Sequence, residues 1–269
     1  MRIAITGARG FIAQNLVKRL GEHDYLLIDK GQFSKDALID FNPHQVYHLG
    51  AEIYDINQMY QSNVALTYDL LMACVQTDVK AVVICGSSSE YGASIVPMKE
   101  SKALLPRNMY EATKGAASLL AQGVANQYNL PVVIARPFSL YGLHEKPHRL
   151  MPTLLKAFQT GQKCAISEGV HDWIHIDDFI DGLMMILPNA NSTAPIYNIA
   201  TGVQHSNLNV FYAFCEAFGY EVEHEYIFAK TKPYDAFNWV ADISRIAALG
   251  FEPRYNLKSG IKKYVDESA

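Results

Sequence analysis

The sequence predicts an α/β protein built on a doubly wound parallel sheet, with a small α/β lobe on its C-terminal side. Three observations carry this. Five short apolar runs, RIAIT, YLLID, QVYHLGA, AVVICGS and PVVIARP, are rich in Val, Ile and Leu and lack strict alternation. That suits parallel strands covered on both faces. Between them lie FIAQNLVKRL, NVALTYDLLMACVQ and YEATKGAASLLAQGVANQY, whose apolar residues recur at three- and four-residue intervals, as on amphipathic helices. Finally, 269 residues with 49% apolar and 19% charged content suffice for a sizeable core.

Taken in order, RIAIT opens the sheet and ITGARGFIAQNL leads from it into the first helix, placing Gly7, Gly10 and Ala13 in a GxxGxxA pattern. Glycines there let backbone N–H groups approach a pyrophosphate, and the helix N-terminus adds partial positive charge. Gly7, Arg9, Gly10, Phe11 and Ile12 are therefore candidate cofactor contacts. The fold expected is Rossmann-like. Asp29 ends the second run, where a carboxylate binds adenosine-ribose hydroxyls and repels a 2′-phosphate, favouring NAD. Arg9 and Lys30 stand beside it and could face a 2′-phosphate, so NADP stays open. Only 16 residues separate Asp29 from the next strand at Val46. This predicts a sheet trimmed by about one βα unit relative to the common six- or seven-strand form. Leu49, Gly50 and Ala51 follow that strand at the cofactor edge.

Beyond Arg136-Pro137 the pattern loosens into short strands (KCAISE, WIHI, PIYNIA, YEVEHEYIF) and helices (LMPTLLKAFQT, DDFIDGLMMIL, NVFYAFCEAF, DISRIAALG, LKSGIKKYVD). Residues 1–140 are expected to form the dinucleotide-binding unit, with segments near 171–200 returning to it. Residues 141–269 form mainly a substrate lobe.

The net charge of −4 and the lack of Lys/Arg runs argue against nucleic acid or an anionic membrane as partner. The apolar runs are too short to span a bilayer. With no leader pattern before the first strand, a cytoplasmic protein is expected. Cys74, Cys85, Cys164 and Cys215 are scattered and read as buried thiols. His44 and His48 flank a strand, which puts them about 13 Å apart. No metal is expected.

Two Tyr-x-x-x-Lys pairs occur, Tyr110/Lys114 and Tyr226/Lys230. With 16 tyrosines in the chain, about one such pair arises by chance. Tyr226/Lys230 sits in alternating, strand-like sequence and is the accidental one. Tyr110/Lys114 follows an N-cap at Asn108, with Glu111 placed as in a capping box, so both side chains share a helical face about 6 Å apart. A phenol of pKa near 10 is a poor base at neutrality; bringing it to about 7 takes about 4 kcal/mol. A neighbouring ammonium and the charge of an oxidised nicotinamide could supply this. SSSEYG, Ser87–Gly92, ends the fourth strand at the carboxyl edge, where a serine can polarise a substrate oxygen.

These motifs resemble the extended short-chain dehydrogenase/reductase family, in its NAD-dependent epimerase/dehydratase branch acting on nucleotide sugars. The matching segments are TGARGFIA, VYHLGA, Asn63 in NVALTYDLLMAC, GSSSEYG, YEATK, RPFSLYG, HDWIHIDD, YNIATG and ADISRIAALGFEP. The resemblance implies Ser87, Tyr110 and Lys114 as catalytic residues, with Tyr110 and Lys114 also touching cofactor. It makes Asn63 a support of the active-site helix. The sugar dehydratases of the family carry Asp-Glu where this chain has Ser88-Ser89, which speaks against 4,6-dehydration. Three polar substrate contacts of the family become Ser139, His171 and Lys232 here, and lysine lacks the arginine fork. Ser87, Ser88, His148 and Arg149 complete the candidate substrate set. The expected activity is a nucleotide-sugar 4-epimerase working through a transient 4-keto sugar. The alternatives are an NAD(P)H-dependent 4-keto-sugar reductase and, from a different class, a non-catalytic dinucleotide-sensing protein. A homodimer through the helices of Asn63 and Tyr110 is implied as well.

Overall fold

The computed structural model describes residues 1–220, 226–229 and 237–268. Its first half runs β1 (Arg2–Thr6), α1 (Phe11–Leu20), β2 (Asp24–Ile28), α2 (Lys35–Phe41), β3 (Gln45–His48), α3 (Ile56–Met59), α4 (Leu66–Cys74), β4 (Ala81–Cys85), α5 (Met109–Tyr128) and β5 (Val132–Pro137). The second half adds β6 (Ser139–Tyr141), α6 (Leu150–Thr160), β7 (Cys164–Ser167), β8 (Val170–His175), α7 (Ile176–Ile186), β9 (Ile196–Ile199) and β10 (Gln204–Ser206). It ends with α8 (Asn207–Phe218), β11 (Tyr226–Ala229), α9 (Ser244–Ala247) and α10 (Leu257–Glu267).

Six parallel strands form the main sheet in the order β2-β1-β3-β4-β5-β9. The interval after Asp29 holds α2 and no strand, so the chain passes from β2 straight to β3 on the far side of β1. The sheet is one strand short of the seven-strand form, as the short interval predicted. Alternate strand residues feed two cores: Ile3, Ile5, Val83 and Val133 meet α1 and α7 through Leu16, Phe179 and Leu183. Ala4, Val46, Val82 and Ile134 meet α2, α4 and α5 through Leu38, Leu70 and Ala121. Both faces are thus dry, which is why the strands read as unbroken apolar runs.

Among the described residues the second half forms two small sheets, β10-β8-β6 and β11-β7. A third core of Leu154, Phe158, Trp173, Phe211, Phe214 and Ile261 packs α6, α8 and α10 together. Of the YEVEHEYIF strand only Tyr226–Ala229 is described. Lys230 and Lys232 lie outside the described residues.

The strand order reverses at β1: the chain runs outward from β1 to β2 and then crosses back to β3 on the other side of β1. The crevice over the carboxyl ends of β1 and β3 is therefore the expected ligand position. Between α3 and α4 the helix widens into a π turn, Tyr60–Ala65, that contains Asn63. Such turns re-aim side chains and recur at functional sites. Among the described residues no helix is long and apolar enough to cross a membrane.

Candidate active site

Gly7 leaves β1 with φ +68°, and a Cβ there would lie 2.7 Å from Gly50 Cα. The turns after β1 and β3 therefore touch backbone to backbone, and a side chain at Gly7 would force them apart. A Cβ on Gly10 would meet the Gly7 carbonyl at 2.9 Å. Gly10 is also the cap residue of α1, and among the described residues no side chain caps that helix end. Phe11 and Ile12 open the helix and are partly buried. A glycine cradle facing an uncapped helix N-terminus fits a dinucleotide pyrophosphate. Leu49 and Gly50 line the opposite wall, partly buried, and Ala51 is exposed beside them.

Asp29 sits where an adenosine ribose would lie, but both its oxygens are engaged: Oδ1 accepts from the Arg9 N–H at 3.0 Å and Oδ2 from Arg9 Nε at 2.7 Å. The Arg9 side chain is 80% exposed, so its ion pair is worth little and opens at little cost. Lys30 turns to Glu52, 2.8 Å away. That hydrogen bond, with backbone N–H groups at Tyr54 and Asp55, holds the Glu52 carboxyl down at about 2. Arg9 and Lys30 are thus each neutralised by a carboxylate.

Below the cradle a buried polar chain links the cofactor turns to α5. The Thr67 hydroxyl donates to the Asn63 carbonyl at 2.7 Å, so it accepts from His48 Nε2 at 2.8 Å. His48 Nδ1 then accepts from Thr6 Oγ1 at 2.7 Å, and Thr6 Oγ1 accepts the Gly50 N–H at 3.3 Å. Burial first, and the nearby Lys114 charge second, push His48 down to about 3, so the ring is neutral. The Asn63 amide donates to the Glu52 carbonyl and to Thr113 Oγ1 on α5, and its carbonyl accepts the Glu52 N–H at 2.7 Å. His48 is a buried link in this chain, joining β1 to α4 through Thr6 and Thr67.

The helix carrying Tyr110 and Lys114 starts as expected. Asn108 Oδ1 accepts the Glu111 N–H at 3.0 Å. The Glu111 carboxylate departs from the capping box: it stays buried and turns to the Arg107 N–H and guanidinium. Tyr110 is partly buried and hydrogen-bonds Ser87. Burial pushes its phenol up to about 12, the Ser87 hydrogen bond works against that, and Arg149 adds a smaller lowering pull. Lys114 is buried and donates to the Cys85 carbonyl at 2.5 Å, at the end of β4. In the free protein its ammonium therefore secures α5 to the sheet, and the leading influences on the phenol are burial and Ser87.

Ser87 caps a short 3₁₀ turn, Ser88–Tyr91, with its Oγ accepting the Ser89 N–H at 3.1 Å. Ser88 points elsewhere: it is buried and accepts from Trp239 Nε1 at 3.3 Å. Ser139 and His171 meet at 3.1 Å across the β6–β8 sheet, bringing together two of the three substituted substrate positions. His148 pairs with Tyr54 at 2.7 Å, and Arg149 reaches Glu145 at 3.4 Å. Glu145 is buried, which pushes its carboxyl up to about 8 against the pull of Arg149.

Sequence reading missed several members of this constellation. Glu90 is fully buried and joins Ser87, Ser118 and Arg136. Arg136, in the middle of the apolar run VVIARP, was a legible signal, because a charge inside a fully covered strand requires a buried partner.

Comparison with known proteins follows the same lines. The family model for the NAD dependent epimerase/dehydratase family matches residues 3–200. A trifunctional UDP-glucose 4,6-dehydratase/UDP-4-keto-6-deoxy-D-glucose 3,5-epimerase/UDP-4-keto-L-rhamnose-reductase of Arabidopsis thaliana is 24% identical over 98% of this chain, which spans 46% of that protein. The low-salt glycan biosynthesis protein Agl12 of Haloferax volcanii is 25% identical, covering 99% of this chain and 98% of its own length. The UDP-glucose 4-epimerase of Thermotoga maritima, solved with UDP-glucose, superposes with a TM-score of 0.88 at 20% identity, covering 99% of this chain and 98% of that one. MoeE5, solved with UDP-glucose and NAD, gives 0.86 at 26%, covering 100% and 98%. The match spans the glycine cradle, the serine turn and the Tyr110 helix alike, and the chain belongs to the NAD-dependent epimerase/dehydratase family of enzymes.

Proposed function

We propose that this chain is a nucleotide-sugar 4-epimerase that oxidises the C4 hydroxyl to a ketone and reduces it again from the opposite face. One observation carries the reading: Ser87, Tyr110 and Lys114 converge at the carboxyl end of β4, within the sheet whose β1 and β3 turns form the glycine cradle. NAD bound there would accept and return the hydride, and its oxidised ring would place positive charge beside the phenol. Tyr110 takes the proton from the C4 hydroxyl as the ketone forms and gives it back when the alcohol is restored. Ser87 Oγ accepts from Ser89 N–H, and its one proton, which favours the phenolate of Tyr110 in the free protein, would turn to the substrate oxygen as charge develops there. Lys114 fixes the helix and faces the cofactor ribose. Asp29 takes the adenosine ribose once Arg9 swings aside.

Dehydration at C5–C6 needs a carboxyl group at the sugar ring. Ser88 and Ser89 offer none, and Glu90, the nearest carboxylate in that turn, is held by Ser87, Ser118 and Arg136 with no exposed surface. This supports epimerisation or reduction. The substrate diphosphate is assigned to Ser139, His171, His148 and Arg149. What supports Arg149 is the charge that it exerts on the Tyr110 phenol, favouring the phenolate.

Purified protein should contain NAD without any added, and should interconvert C4-epimeric nucleotide sugars, followed by NMR, with no net consumption of NAD(P)H. Stoichiometric NAD(P)H oxidation on a 4-keto sugar would instead make it a reductase. No turnover in either assay, with NAD still bound, would leave the sensing role. A homodimer is proposed as well: Ile56, Tyr60, Tyr68, Met109 and Leu119 expose apolar surface along α3, the π turn, α4 and α5. Light scattering should give twice the 30.0 kDa chain mass, and a monomer at micromolar concentration would exclude it.

A further inference from the structure

Tyr110, Lys114 and Ser118 lie at i, i+4 and i+8 on α5, one face of that helix. Each reaches the end of β4 or the turn that follows it. The phenol meets Ser87, the ammonium donates to the Cys85 carbonyl, and Ser118 Oγ donates to Glu90 Oε2 at 2.8 Å. The first two contacts belong to the chemistry proposed above. The third does not, and it is buried completely: Ser118 is 1% exposed and Glu90 0%.

Glu90 is the junction. Its Oε1 accepts the Ser87 N–H at 2.8 Å, while Oε2 accepts from Ser118, from Arg136 Nε at 2.9 Å and from Arg136 Nη2 at 2.8 Å. One carboxylate therefore binds the backbone of the residue that faces the phenol, the helix that carries the phenol, and strand β5. Gly86 makes room for it, since a Cβ there would sit 2.5 Å from Glu90 Oε1. The Ser87 contact closes a capping box on the 3₁₀ turn, and what goes beyond capping is that the same carboxylate also holds Ser118 on α5 and Arg136 on β5.

We propose that Glu90 and Ser118 are positioning residues that hold the Ser87 hydroxyl in register with the Tyr110 phenol by tying the serine turn to α5. This rests on the assignment of Ser87 and Tyr110 as the proton-handling pair. The charges around the phenol follow from the same layout. Cys85 and Glu90 oppose its ionisation, Ser87 and Arg149 favour it, and Lys114 sits on the Cys85 carbonyl. Glu90 itself is faced by Arg136, whose guanidinium also lies 4.5 Å over the Tyr91 ring.

Two variants of the NAD-loaded protein test this. Ser118→Ala removes one contact and leaves the Glu90–Arg136 pair intact. It should lower kcat about tenfold, as small misplacements do, with KM and the NAD-induced rise in Tm unchanged. Glu90→Gln should lower kcat by about 10²-fold. Its lost charge lowers the titration of Tyr110 while a loosened Ser87 bond raises it, so the titration test falls to Ser118→Ala, where no charge changes. That titration is read as the ultraviolet phenolate signal of each protein minus that of the same protein carrying Tyr110→Phe. In Ser118→Ala it should move to higher pH, because the Ser87 hydrogen bond is loosened. Folded Ser118→Ala turning over at the wild-type rate, or with Tyr110 titrating as in the wild type, overturns the proposal. If the wild type turns over no nucleotide sugar, the proposed function falls and the titrations alone decide for or against the clamp. If Glu90→Gln does not fold, Ser118→Ala decides.

Discussion

Replacing Tyr110 by Phe should lower kcat about 10³-fold while the NAD-induced rise in Tm persists. The argument begins with what burial does to the phenol. It is pushed up to about 12 in the free protein, which leaves it protonated at neutral pH and useless as a base. Bringing it from about 12 to neutrality takes about 7 kcal/mol of preferential stabilisation of the phenolate. Burial raises this requirement, and the same dry surroundings strengthen every compensating charge. Ser87 and Arg149 already pull in the right direction. The remainder must come with the filled site, so the phenolate should form in the holoenzyme and not in the free protein. Because the base is the ionised form, kcat of the wild type should rise with pH up to the holoenzyme's phenol pKa and then level. Tyr110→Phe should lose that limb and keep a small residual rate without it. A Tyr110→Phe variant with wild-type kcat and an unchanged pH profile would remove Tyr110 from the chemistry.

Position along the chain decided what could be read in advance. The glycine cradle was legible because a strand, GxxGxxA and a helix are contiguous, and because Asp29 closes the very next strand. Tyr110 and Lys114 were legible because helical periodicity brings them together without any tertiary information. The trimmed sheet was legible as a length, since a parallel strand and its crossover do not fit between Asp29 and Val46. What escaped were pairs joined only by the fold. His48 and Thr6 are 42 residues apart, Glu90 and Arg136 are 46 apart, and Ser139 and His171 are 32 apart. Nothing local in the sequence connects such residues; the sheet order does. Glu111 failed in the opposite sense: its spacing matched a capping box, yet Arg107, one residue before the cap, competed for its carboxylate through two charge-assisted bonds.

The Glu90–Arg136 pair also sets the largest expected loss of stability. Arg136 is 2% exposed and Glu90 fully buried, so neither charge has water to fall back on. Arg136→Met would fill most of the volume but leave the carboxylate with only the Ser87 N–H and the Ser118 hydroxyl. Breaking a buried pair from one side costs about 3–5 kcal/mol. In a chain of this size that corresponds to a fall in Tm on the order of 10 °C. Removing both charges behaves differently, because the desolvation cost disappears along with the attraction. Glu90→Gln/Arg136→Met keeps an amide oxygen for the Ser87 N–H and should recover most of the lost Tm. That recovery would mark the two effects as coupled and not additive. Thermal denaturation of the wild type, both single variants and the double variant measures this directly. An Arg136→Met protein melting within about 2 °C of the wild type would mean that the pair is solvated in solution, and that Ser87 is held by something other than a buried carboxylate.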